Sequence, residues 1–315
     1  MPAQSHRGRF VWHELLTTDT KAAEGFFTKV VGWNAKPFDQ SYTLFLTGKQ
    51  NRAGLMALPA DAKAMGAPPH WESYVAVPNV DESAKQATAL GGKVLKAPTD
   101  IPNVGRFAVL QDPQGATFAI FKGTGDMPIE EPPAVGDFSW HELATSDWKG
   151  ALAFYKNLFG WQETNSMDMG PQGTYQMFGL DGKTMGGMYN VGPEHPGGRS
   201  WLPYIKVPDA KKTAATITKL GAKVINGPME VPGGDMIAQG LDLQGIPFAV
   251  HSVTAKAAAA SKPASKPVSR PAKKKAAKKA KPAKRAAAKK RPAARKKAAK
   301  RKPAKKSKRA GGRRR

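Results

Sequence analysis

Two stretches of this chain decide its fold: Phe10-Val-Trp-His-Glu-Leu-Leu-Thr-Thr-Asp19 and Phe138-Ser-Trp-His-Glu-Leu-Ala-Thr-Ser-Asp147. They match without a gap, and the match runs on through Phe26 and Phe154 to Gly32-Trp33 and Gly160-Trp161. A second shared block opens at Trp71 and Trp201. It carries Val77-Pro78 and Val207-Pro208, then Leu90-Gly91 and Leu220-Gly221, and closes at Asp112-Pro-Gln-Gly115 and Asp242-Leu-Gln-Gly245. Solenoid repeats run to about 20–45 residues. This unit is far longer, so it is a duplicated domain.

Each copy reads as two βαβββ halves. Val11 to Thr17 has strand composition. Asp19 is placed as an N-cap, Ala22/Ala23, Phe26/Phe27 and Val30 recur at helical spacing, and Gly32 supplies a left-handed stop. Strands are expected near Tyr42–Leu46 and Gly54–Leu58. The second half repeats the plan: a strand at Ser73–Val77, a helix from Val80 to Leu90 stopped by Gly91, then strands near Val94, Phe107–Gln111 and Thr117–Phe121. The last two are joined by the Asp112–Gly115 turn. In the other copy the helices fall at Trp148–Phe159 and Ala210–Leu220. The expected boundaries are residues 7–124 and 136–254 for the two domains, 125–135 for a Pro-rich acidic linker, and 255–315 for a tail.

The bulk charge of +26 is unevenly placed. The tail holds 28 of the 50 lysines and arginines and none of the 24 acids, which leaves 22 basic against 24 acidic residues in the body. With no cysteine, disulfides, thiolate nucleophiles and Cys-ligated zinc are excluded. The first residues lack the apolar core of a secretion signal, and no run approaches the ~18 apolar residues of a membrane span. The expectation is a soluble, cytoplasmic protein.

The pattern Trp-His-Glu-Leu-x-Thr-x-Asp, then Phe-Phe/Tyr, then Gly-Trp, resembles the vicinal oxygen chelate superfamily, which includes glyoxalase I, bleomycin- and fosfomycin-resistance proteins and extradiol dioxygenases. It is most similar to bacterial tandem-domain glyoxalase/bleomycin resistance-like proteins. The resemblance covers roughly residues 8–123 and 136–253. It implies an α+β fold in which paired βαβββ halves curl into a cup-shaped mixed sheet around a cavity.

The resemblance also implies where a divalent metal would be held. The first-strand ligand position falls on Trp12, the end of the first half offers Leu55 or Met56, the third position is Glu72, and the closing-strand position is Ala119. In the second copy these are Trp140, Met188, Leu202 and Ala249. One carboxylate cannot hold a catalytic metal, so no cofactor is expected; the alternative is a divalent metal. Strand alternation puts Trp12, Glu14 and Leu16 on one face and His13, Leu15 and Thr17 on the other. A slip of one residue would instead turn His13 into the cavity.

Glu14 and Glu142 are the candidate cavity carboxylates, able to bind a ligand or act as a general base. The competing reading pairs them at a surface or between halves, with His13 and His141 wedged beneath a helix and bonded to backbone. The candidate cavity lining is Trp12, Tyr42, His70, Trp71, Glu72, Trp140, Tyr175 and Trp201, although buried aromatics are more often simply core. His70 has Ser200 as its counterpart, which makes it either a copy-specific contact or a surface loop residue. His6, His195 and His251 show no constellation. Gly182-Lys183-Thr184 lacks the earlier glycine of a phosphate loop, where Met177 stands. No Ser-His-Asp pattern and no dinucleotide fingerprint are found.

The tail is almost wholly Lys, Arg, Ala and Pro. Without an apolar face to bury, its charges repel and leave it disordered. It resembles the C-terminal tail of histone H1. Its candidate nucleic-acid contacts are Lys273, Lys274, Lys275, Lys278, Lys279, Lys289, Lys290, Arg291, Arg295, Lys296, Lys297, Arg301, Arg313, Arg314 and Arg315. Cations that replace condensed counterions on a polyanion bind it without regard to sequence. DNA, RNA and polyphosphate meet that description. An anionic membrane surface is a weaker rival, because the tail has no Leu, Phe or Trp to embed.

Three functions follow as expectations. The first is a module that binds a small organic molecule without metal, held on nucleic acid by its tail and so nucleoid-associated. The second is a glyoxalase-type lyase, isomerase or hydroxylase with Glu14 or Glu142 as base. The third is an architectural nucleoid protein. A monomer with paired domains and a homodimer both fit.

Overall fold

A computed structural model describes residues 6–125, 132–195 and 198–254. The whole expected tail, with every candidate nucleic-acid contact, and most of the expected linker lie outside the described residues. In the first copy β1 (Phe10–Thr17) leads into α1 (Thr20–Val30), followed by β2 (Asn34–Pro37), β3 (Tyr42–Thr47) and β4 (Gln50–Ala57). A short helix, α2 (Ala60–Ala64), connects to β5 (His70–Ala76), α3 (Val80–Ala89), β6 (Lys93–Ile101), β7 (Gly105–Gln111) and β8 (Thr117–Gly123). The second copy runs β9 (Phe138–Thr145), α4 (Trp148–Phe159), β10 (Gln162–Asp168), β11 (Thr174–Leu180), β12 (Lys183–Asn190), β13 (Ser200–Lys206), α5 (Ala210–Lys219), β14 (Lys223–Glu230), β15 (Met236–Leu241) and β16 (Pro247–Ser252).

Each copy forms one eight-stranded mixed sheet, in the orders β2-β3-β4-β1-β5-β8-β7-β6 and β10-β11-β12-β9-β13-β16-β15-β14. Within a half the first and last strands run parallel, β1 with β4 and β5 with β8, and the halves join antiparallel through β1 and β5. The α+β, tandem-domain reading therefore holds.

The caps fall where the sequence puts them. Asp19 accepts from the Ala22 amide, and Asp147 caps α4, which ends on Gly160 in the left-handed region. Gly32 likewise has φ 82° just past α1. Four strands escape or outrun the sequence reading: β2, β6, β10 and β14 are the outer strands, and most of their side chains are exposed. They have no buried face to write an alternating pattern.

Alternation then sorts the two faces. Leu15, Phe45, Leu55 and Trp71 pack with α1, and their cluster continues into the second copy through Ile205, Ala214, Ile217 and Phe248. A matching cluster joins Val75, Ala87, Leu110 and Phe118 to Leu152, Tyr155, Phe159, Trp161, Phe178 and Trp201. The first half of each copy thus shares a core with the second half of the other. Burying one such side chain is worth about 1.5–3 kcal/mol, so the helix-bearing faces hold the copies together.

The residues that repeat in the sequence do the pairing. Trp33 Nε1 donates to the Gly136 carbonyl at 3.0 Å, and Trp161 Nε1 donates to the Gly8 carbonyl at 2.6 Å. Each Gly-Trp motif therefore reaches the glycine ahead of the other copy's first strand. Gln244 Oε1 accepts from the Thr17 and Thr18 hydroxyls and the Asp19 amide, while its Nε2 donates to the Asp19 carbonyl. In the reciprocal joint, Tyr155 donates to Asp112 Oδ2 at 3.0 Å.

Candidate functional site

His13 and His141 belong to this joint and not to a cavity. Their Nε2 atoms lie 2.8 Å apart across the two copies, both rings buried, with Phe10 stacked on His141 and Phe138 on His13. His141 Nδ1 faces the Met185 carbonyl at 3.3 Å. That carbonyl needs the proton on His141 Nδ1, so His141 Nε2 accepts and His13 Nε2 donates. Burial lowers both pKa values, that of His141 to about 3. The alternative register, with histidines turned into the cavity, is overturned. The expected bonding to backbone is found for His141, and the bond between the two histidines was not foreseen.

Glu14 and Glu142 sit on the opposite, helix-free face, here called the cup face, and each is built by the same relay. Trp12 Nε1 donates to the Tyr42 hydroxyl at 3.0 Å, and Tyr42 hydrogen-bonds Glu14. Trp140 Nε1 donates to Tyr175 at 2.8 Å, and Tyr175 donates to Glu142 Oε2 at 3.1 Å. The tyrosines reach the carboxylates because the strand beneath them carries glycine. Gly54 pairs with Glu14 and Gly187 with Glu142. A Cβ at Gly54 would collide with the Tyr42 ring, and one at Gly187 with the Tyr175 ring.

Further donors complete each site. Tyr74 donates to Glu14 Oε2 at 2.9 Å. Glu142 receives Gln239 Nε2 on Oε1 at 3.1 Å and a hydrogen bond from Tyr204. Burial raises the pKa of both glutamates, and the tyrosine hydrogen bonds oppose that rise without cancelling it. In the first copy Glu72 lies directly across from Glu14. His70 opens β5 and brings Nε2 within 3.3 Å of Glu72 Oε2, so it belongs to the cup face and not to a surface loop. Despite burial, Glu72 raises the His70 pKa. Tyr74, Ala119 and Phe121 form the floor, with Trp12 and Phe107 packed against them.

Two expected lining residues are corrected. Trp71 and Trp201 belong to the cores between the copies, and Trp201 Nε1 donates to Tyr155. Strand alternation puts each on the face opposite its even-numbered neighbour. Sequence reasoning missed Tyr74, Tyr204 and Gln239, although the first two recur at matching positions in the repeat. It also missed a hydrogen-bonded chain at one end of the second sheet. Ser139 Oγ lies 2.8 Å from His251 Nδ1, and His251 Nε2 lies 3.0 Å from Asp235 Oδ2. Ser139 lies on β9, 112 residues from His251 on β16, and Asp235 lies in the loop before β15, so no short spacing joins the three.

The metal question turns on the donor set. Trp12 and Ala119 occupy two of the positions implied as ligands in the first copy, and Trp140, Leu202 and Ala249 stand at such positions in the second. Among the described residues no group of three or more His, Asp or Glu side chains is arranged to hold a metal ion. Of the implied first-copy positions, Glu72 alone carries a carboxylate.

Comparison with known proteins bears on the fold and the family. Residues 138–250 match the family model described as the Glyoxalase/Bleomycin resistance protein/Dioxygenase superfamily, and residues 12–121 match a glyoxalase-like domain. A relative from Mycobacterium tuberculosis, named "Putative glyoxylase CFP32", is 31% identical over 79% of this chain and 97% of its own length. The anthracycline biosynthesis protein DnrV of Streptomyces peucetius is 29% identical over 77% of this chain and 92% of its own. Among solved structures, 2,2',3-trihydroxybiphenyl 1,2-dioxygenase of Sphingomonas wittichii shares the fold, with a TM-score of 0.59 at 11% identity over 78% of this chain and 91% of that one. An extradiol ring-cleaving dioxygenase from B. fuscum gives a TM-score of 0.56 at 15% identity over 80% and 73%. This chain belongs to the glyoxalase/bleomycin resistance protein/dioxygenase superfamily, as two copies of its domain in tandem.

Proposed function

We propose that the cup faces bind a small organic molecule without a metal, and that the tail holds the protein on nucleic acid. The observation that carries this reading is the pair of buried carboxylates, Glu14 and Glu142. Each is held by a Trp–Tyr relay beside positions where metal-binding relatives would need ligands and this chain has Trp and Ala. A buried carboxylate in an aromatic surround orients a ligand by a few directed hydrogen bonds, as small-molecule sites generally do. Residues 255–315 supply the charge for sequence-independent contact with phosphates. That contact would place the protein on the nucleoid.

A screen of small organic molecules against the full chain, followed by thermal shift, tests this. Hits should stabilise the wild type and lose that effect in Glu14→Gln or Glu142→Gln. Hits indifferent to both substitutions would refute it. A second reading, metal-independent lyase or isomerase chemistry, is favoured by one fact: burial raises both glutamate pKa values and so strengthens them as bases. Turnover that survives both glutamine substitutions would remove that base.

A further inference from the structure

We infer that the first copy's cup face takes an organic ammonium ion, seated between Glu14 and Glu72, and that the second copy's cup face does not. This rests on the small-molecule reading above and names its ligand class. The copies serve as controls for one another. In the second, Glu142 is met by Tyr175, Tyr204 and Gln239. In the first, Val109 stands where Gln239 does and Glu72 where Leu202 does. The first cup face has gained a carboxylate and lost a donor.

Glu14 and Glu72 oppose each other on β1 and β5. Side chains so placed come within about 4.5–5.5 Å at Cβ, where like charges repel. Glu72 is 2% exposed, and its Oε1 is buried with no hydrogen-bond partner. His70 has no further donor, since Nε2 faces Glu72 Oε2 at 3.3 Å and Nδ1 faces the Pro68 carbonyl at 2.7 Å. With both nitrogens donating it is an imidazolium, which offsets one of the two carboxylates and leaves one negative charge. A buried acceptor left without a donor is costly, and one within an excess of negative charge is costlier. A ligand hydroxyl would supply the hydrogen bond alone. An ammonium group supplies both the bond and the charge. The rings of Trp12, Tyr42, Tyr74 and Phe107 around this point suit an apolar or aromatic body, and ring faces attract cations.

The test is calorimetric titration of the full chain at about 0.3 M salt, where tail charges are screened beyond a few ångströms. Benzylammonium and tryptamine are compared with benzyl alcohol and tryptophol. One amine should bind per chain, each alcohol roughly tenfold or more weaker, and Glu72→Gln should lower amine affinity by a similar factor. Glu82→Gln, on the exposed side of α3, should change nothing. Alcohols that bind as well as amines would overturn the ammonium assignment and leave the small-molecule reading standing. Failure of all four probes would overturn both. Submicromolar Zn²⁺ or Mn²⁺ that depends on Glu72 would assign the free acceptor to a metal instead. The amine–alcohol comparison needs no variant, so it decides even if Glu72→Gln does not fold.

Discussion

Neighbouring residues in one motif carry opposite duties. In Trp-His-Glu the histidine looks toward the other copy and the tryptophan and glutamate look into the cup, because side chains alternate across a strand. The period of two made the division legible, and the family resemblance said which side faces the cup. The misplacement of Trp71 shows the same rule neglected: once Glu72 faces the cup, Trp71 must face the core. What could not be read was the partner of each histidine, since 128 residues separate His13 from His141. The pair makes a pH prediction. Both folded-state pKa values lie below the usual 6.5, so the unfolded chain binds protons that the folded chain refuses. Stability should therefore be present above about pH 6.5 and fall as the pH drops below it, for His141 down to about 3, with a limiting slope of about 1.4 kcal/mol per pH unit for each histidine. Urea melts across this range should show a shallower slope for the His13→Phe/His141→Phe double variant. Equal slopes would mean that the pair is not buried neutral. The glutamates have the opposite sign. Carbon-13 NMR of the Glu14 and Glu142 carboxyls should show midpoints above the ordinary 4.5.

Elements are positioned by small residues under large ones. Gly54 and Gly187 leave room for Tyr42 and Tyr175 to lie across the strand and reach the glutamates. Gly187→Ala should displace the Tyr175 ring and cost about 1–3 kcal/mol in a denaturant melt. In a double-mutant cycle with Tyr175→Phe the two losses should fall short of their sum, because both break the same relay. Additive losses would separate the glycine from the site. The Gly-Trp motif works between elements. Trp161→Phe keeps most of the ring and leaves the Gly8 carbonyl without its donor, an expected loss of about 1–3 kcal/mol. The central strands and all four long helices announced themselves through periodicity and caps. Of the outer strands, β6 was expected only near Val94 and β2 not at all, because most of their side chains lie in solvent and leave no alternating pattern.

At the scale of the molecule, the duplicated motifs that pair the copies have been kept while the cup faces have changed. The repeated motifs Gly-Trp and Asp-x-Gln-Gly and the motif histidines serve pairing, while the cup faces have diverged, Glu72 to Leu202 and Val109 to Gln239. A single copy, residues 7–124, would expose half of each shared core. It should therefore self-associate or fail to fold, which sedimentation analysis would reveal. On the proposed reading the tail would add a function of a different kind. If about ten of its charges meet phosphate, log K for random duplex DNA should fall with log salt at a slope near −9, and removal of residues 255–315 should abolish binding.

The account stands most directly on the donor set of the cup faces, and equilibrium dialysis of the full chain against buffered Zn²⁺, Ni²⁺ and Fe²⁺ tests it. The predicted result is no stoichiometric binding at submicromolar free metal. One or two ions per chain at that level, lost on Glu14→Gln or Glu142→Gln, would contradict it and make the cups metal centres.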